Sequence, residues 1–132
     1  MELLIRPAPR LRLVAALALA AAIAFLLVGG QKPIAVGLFV PPWDKVAHLV
    51  TYAGLTVLFV VAADAARRPW RAVAFIAVLG AIDEFAQSFA PGRVADAADW
   101  ITDVAAAVLT VLVIGALRRR SDRRRAAALA GT

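Results

Sequence analysis

The stretch GAIDEFAQSFAPGR, residues 80–93, decides how often this chain crosses a membrane. It overlaps the end of an unbroken apolar run from Ala72 to Ile82. At about 1.5 Å of rise per residue that run is too short for a hydrocarbon core of about 30 Å. A complete crossing needs the helix to continue through Asp83, Glu84 and Gln87 to about Ala90. An ionised acid at mid-bilayer costs about 2.5–3.5 kcal/mol, and less toward the interface. Such groups persist where they face a bundle interior or a wet cavity and find partners there.

Composition supports a membrane setting. Of 132 residues, 63% are hydrophobic, and mean hydropathy is +0.82. Soluble domains sit nearer half apolar. The length allows one bundle and no second domain of useful size. There are no cysteines, which excludes disulfides and thiolate metal sites. Net charge is +6. Basic chains raise nucleic acid as a partner, but here the cations flank apolar runs without interleaved stacking aromatics. Anionic lipid headgroups at the cytoplasmic face are the better partner, and no nucleic acid is expected.

The pattern predicts an all-α integral membrane bundle of four transmembrane helices, over about 13–28, 46–63, 72–90 and 100–117. Residues 118–132 form a basic, partly disordered cytoplasmic tail that anchors topology. Pro41-Pro42 precedes the second span, with Asp44 as its expected N-cap, and Pro91-Gly92 follows the third. Twelve of the fifteen cations fall on one side: Arg6, Arg10 and Arg12; Arg67, Arg68 and Arg71; and six arginines from Arg118 to Arg125. The positive-inside rule makes that side cytoplasmic and puts both termini there, in the cell membrane. The outer side keeps Lys32, Lys45 and Arg93 against six acids. A cleavable signal peptide is the rival reading of the first span, with Val28-Gly29-Gly30 as a passable cleavage site.

Helical spacing then gathers polar groups at one depth. Asp44, His48 and Tyr52 recur every four residues on one face. Glu84 and Gln87 share a face, as do Asp83 and Gln87. Asp96, Asp99 and Asp103 are spaced by three and four. Arg93, in the intervening turn, can fold over all of them. Several of these residues also have plain structural uses. Asp96 and Asp99 suit a helix cap, Lys45 a headgroup anchor, and Trp43, Tyr52 and Trp100 an aromatic belt. Glu84 and Asp103 lie a turn or more inside their helices, where capping does not reach.

Two motifs assemble from these residues. D-K-x-x-H-x-x-x-Y spans Asp44, Lys45, His48 and Tyr52, and D-E-x-x-Q-x-F-x-P-G-R-x-x-D-x-x-D-W-x-x-D runs from Asp83 to Asp103. Together they resemble the signatures of the VanZ-like membrane proteins, a family named for a protein linked to teicoplanin resistance. The resemblance covers the chain from about Trp43 to the end of the last span. It implies a bundle of about four spans with the motif face outward. For this chain it implies a site and a topology rather than a reaction.

Three functions follow as expectations. The first is binding of an envelope component, lipid-linked or glycopeptide-like, with a contribution to glycopeptide resistance. There Lys45, Arg93 and protonated His48 would grip an anion, and Asp44, Tyr52, Asp83, Gln87, Asp96 and Asp103 would orient them or meet a sugar or amine. The second is an enzyme acting on a lipid-linked or cell-wall substrate. Glu84 or Asp99 would be its general base, His48 its acid or orienter, and Arg93 would stabilise developing charge. The third is a structural bundle whose polar contacts only set helix register. Ser88 and Thr51 lack a triad, which leaves covalent catalysis without support. No cofactor is expected. A divalent ion on Glu84, Asp99, Asp103 and His48 ranks below a metal-free site, because the spacing matches no strong metal motif.

Overall fold

In a computed structural model of the protein, residues 7–29, 42–92 and 95–130 are described, and they are all-α. Helix α1 (Pro9–Ala24) opens with proline in its first turn, where a missing N–H is harmless. It runs on as a π-helical turn, Phe25–Gly29. Helix α2 spans Trp43–Ala62 and follows Pro42 at its N-cap. Asp44 therefore sits in the first turn and makes no capping bond, contrary to expectation. The helix closes where the Ala63 N–H donates to the Phe59 carbonyl at 2.9 Å and Asp64 turns left-handed at φ 50°. Aspartate tolerates that region better than a branched residue would. A 3-10 turn, Ala65–Arg67, leads to α3 (Trp70–Gln87), and α4 covers Ala97–Ala130.

The sequence predicts four crossing helices, and the structure corrects that number to three. Pro9–Gly29, Trp43–Ala62 and Ala97–Ala130 are long and apolar enough to cross. Helix α3 is not. It ends at Gln87 rather than Ala90, giving 18 residues, or about 27 Å, against a core of about 30 Å. Within that length it carries Arg71, Asp83 and Glu84. The expectation counted Phe89 and Ala90 as helix, but the chain leaves α3 at Ser88 and turns through Pro91. The expectation of both termini in the cytoplasm is argued from four crossings, and three qualifying helices do not supply that argument.

The tail expected to be partly disordered is helical as far as Ala130. Helix α4 continues to Ala130, and its 34 residues extend about 50 Å, well past a bilayer core.

Two apolar clusters hold the helices together. One joins Leu19, Tyr52, Leu55, Ile76, Leu79, Ala106 and Ala107; the other joins Val60, Ala66, Ala72 and Ile114. The Phe59 and Phe75 rings stack at 4.3 Å between them. Ala72 and Ala107 are wholly buried, and such small side chains let helix backbones come close where lipid supplies no hydrophobic drive. Leu13, Leu17, Val50, Val78, Ile101 and Leu112 remain exposed, as lipid-facing positions would be.

The bundle is polar at both ends, with opposite signs. At one end Arg12 Nε donates to the Ala62 carbonyl at 3.3 Å, and Arg118 donates to the Ala66 carbonyl. At the other end the start of α2, the end of α3 and the start of α4 bring the acids together.

Candidate functional site

Polar groups descend from the rim of the acidic end into the bundle. At the rim, Lys45 Nζ donates to Asp96 Oδ2 at 2.8 Å and to Asp99 Oδ1 at 2.5 Å, joining α2 to the start of α4. Asp44 lies 3.6 Å from the same ammonium, and its Oδ1 is buried without a partner among the described residues. Asp96 caps α4: its Oδ1 accepts the Ala98 N–H at 2.8 Å, while its carbonyl accepts from the Asp99 N–H. The Lys45 ammonium, helped by that N–H, holds the Asp96 carboxyl below the usual carboxylate range. Asp99 stands in the first helical turn, where the helix dipole favours an anion.

One turn deeper, His48 Nδ1 lies 2.8 Å from Asp103 Oδ1, and Nε2 is 3.8 Å from Asp99 Oδ2. The histidine is largely enclosed and Asp103 is fully buried. Glu84 reaches the same level from α3. Its Oε2 accepts the Asp96 backbone N–H at 2.7 Å, and its Oε1 is buried with no partner among the described residues. Asp103 Oδ2 is in the same condition. His48, Glu84 and Asp103 each offer a ligand atom, and all three atoms lie within 4.8 Å of one another.

The floor is Asp83, whose Oδ2 accepts from Tyr52 Oη at 3.2 Å and from Gln87 Nε2 at 3.0 Å. The His48 and Tyr52 rings run nearly parallel, with centroids 5.9 Å apart, one turn apart on α2. Thr56 continues the strip by donating to the Tyr52 carbonyl at 2.6 Å.

The structure thus draws together Lys45, His48, Tyr52, Asp83, Glu84, Gln87, Asp96, Asp99 and Asp103. Asp44 touches only the rim through Lys45. Arg93, expected to cover the cluster, lies outside the described residues.

Two residues matter in ways the spacing did not suggest. Gly80 faces the cluster so closely that a Cβ there would sit 2.9 Å from Asp103 Oδ2 and 3.2 Å from Trp100 Cδ1. Its helical phase with Glu84 and Gln87 was the available signal. Trp100 acts as more than a belt residue, since its Nε1–H donates to the Ala77 carbonyl at 2.9 Å and ties α4 to α3.

The VanZ/LLP1 family profile matches residues 8–118, so the chain belongs to that family. No curated protein and no solved structure gives a significant match. The protein is therefore a VanZ-like, multi-span membrane protein with a buried histidine–glutamate–aspartate cluster suited to acid–base chemistry.

Proposed function

We propose that this cluster makes the protein a membrane enzyme that moves protons at a polar, lipid-linked or cell-wall substrate. The observation that carries the reading is the 2.8 Å contact between His48 Nδ1 and the buried Asp103 carboxylate. A carboxylate behind an imidazole orients the ring, selects its tautomer and stabilises the protonated form. With Nδ1–H committed to Asp103, Nε2 faces Asp99 and the rim, and its proton is the one available for a leaving oxygen. Glu84 is the matching base. One of its oxygens accepts a backbone N–H and the other is buried without a partner among the described residues, and burial raises its basicity toward a substrate hydroxyl or water.

Pure ligand binding has less support. It relies on cations gripping an anion, and Lys45 is already shared between Asp96 and Asp99. The direction in which the site opens belongs to the same proposal. The arginine-rich end lies at the opposite pole of the bundle, so the positive-inside rule points the acidic end away from the cytoplasm.

The test is turnover of a panel of lipid-linked cell-wall precursors by purified protein in nanodiscs. Glu84→Gln and His48→Asn are each expected to lower the rate about 100-fold or more, in line with the loss of a general acid or base. Unchanged rates in both variants, with intact folding, would remove the acid–base reading.

A further inference from the structure

Charge balance around Glu84 and Asp103 is incomplete among the described residues. There Asp44, Glu84, Asp96, Asp99 and Asp103 meet only Lys45 and, when protonated, His48. Lys45 sits at the rim and serves Asp96 and Asp99, so Glu84 and Asp103 are left with the single imidazole. Burying unpaired carboxylates in a membrane protein is costly unless further positive charge joins them. Glu84 Oε1 and Asp103 Oδ2 are both buried without a hydrogen-bond donor among the described residues, which marks where that charge is missing.

We propose that His48, Glu84 and Asp103 form a binding site for one divalent transition-metal cation of Mn2+ or Zn2+ size. The ligand geometry fits. Two ligands at right angles on an ion with bonds of about 2.1 Å lie about 3 Å apart. His48 Nδ1 and Asp103 Oδ1 are 2.8 Å apart, and a Glu84 oxygen lies within 4.8 Å of an imidazole nitrogen and of an Asp103 oxygen. The ligand types narrow the ion. Imidazole favours Zn2+ and its neighbours, carboxylates accept Mn2+ as well, and neither Ca2+ nor Mg2+ prefers a nitrogen. Gly80 is part of the same device, because any side chain there would press on the Asp103 carboxylate.

The site deepens the acid–base reading and rests on the same cluster. The ion takes the place of the proton shared by His48 and Asp103, so the imidazole keeps its proton on Nε2 as the donor. Glu84 passes from base to ligand. A water on the ion takes over the base's part, since a bound divalent cation lowers the pKa of its water.

The experiment is a Mn2+ titration of chelator-stripped protein in nanodiscs, followed by the loss of the free-ion EPR signal. One ion per chain is expected. Zn2+ should displace it at least ten times more effectively than Ca2+. Since His48 is the chain's only histidine, labelling histidine with 15N changes the spin-echo modulation of bound Mn2+ without altering any side chain. Glu84→Gln should weaken binding about 10-fold or more. Absence of saturable binding would overturn the proposal, as would modulation insensitive to the label. Either result leaves the acid–base reading standing if turnover still depends on Glu84 and His48. Loss of that dependence with metal binding intact removes the enzyme and leaves the ion site.

Discussion

His48 Nδ1 and Asp103 Oδ1 stand 2.8 Å apart across 55 positions of sequence, the link that turns two helix faces into one site. Helix α2 supplies the imidazole, α4 the carboxylate, and α3 closes the third side with Glu84. The contact is also a structural one, and most of the expectations below follow from removing one of its supports.

Asp103→Asn keeps the volume and removes the charge. Hydrogen bonds to charged groups contribute about 1.5–3 kcal/mol, and this one is almost wholly enclosed. Thermal unfolding in a mild detergent should show a loss of that size, together with a large fall in turnover. A variant as stable and as active as wild type would mean that the pair contributes neither to packing nor to chemistry.

Gly80→Ala should do similar damage without replacing a titrating group. The added methyl would lie 2.9 Å from Asp103 Oδ2, and overpacking of this kind costs about 1–3 kcal/mol. Gly115→Ala is the control. A Cβ there meets nothing within 4 Å, so the helix should gain up to about 1 kcal/mol, with turnover unchanged. Equal effects of the two substitutions on the unfolding temperature would contradict the crowding at Gly80.

The rim should titrate in acid. Lys45 holds the Asp96 carboxyl below its unfolded value, which is about 3.9. A carboxyl depressed in the folded state stabilises the fold above the unfolded pKa, and that contribution is lost as pH falls through the folded one. The difference in unfolding temperature between wild type and Lys45→Gln should therefore be constant from neutral pH to about 5. It should then shrink below about 4. A difference that grows in acid would reverse the sign and remove the pairing.

Tyr52→Phe and Gln87→Leu remove two donors to the same oxygen of Asp83. Each alone should cost about 1 kcal/mol, because the other donor remains. The double variant should lose more than the sum of the two, since the pair shares one acceptor. Strict additivity in a double-mutant cycle would show that the two donors act independently.

Much of this site was legible before any coordinates. His48 and Tyr52 are four residues apart, as are Asp99 and Asp103, and a helix puts each pair on one face. The gathering of twelve cations on one side of the apolar runs predicted that these helix ends meet on the other. The end of α3 was not legible, because Phe85, Phe89 and Ala90 read equally well as helix or as apolar turn; the break at Ser88, together with Arg71, Asp83 and Glu84, leaves three helices long and apolar enough to cross. Asp44 is not the cap because Pro42 takes that position two residues earlier. Gly80 shares a helix face with Glu84 and Gln87, but its closeness to Asp103 depends on how α4 packs against α3, which that spacing does not set.

The most direct measurement is the imidazole 15N and proton spectrum of His48, the chain's only histidine, in metal-stripped protein at neutral pH. A slowly exchanging proton on Nδ1, shifted downfield and lost in Asp103→Asn, is the expected result. An imidazole that exchanges freely with water at both nitrogens, with the same spectrum in Asp103→Asn, would mean that the helix ends do not form the site.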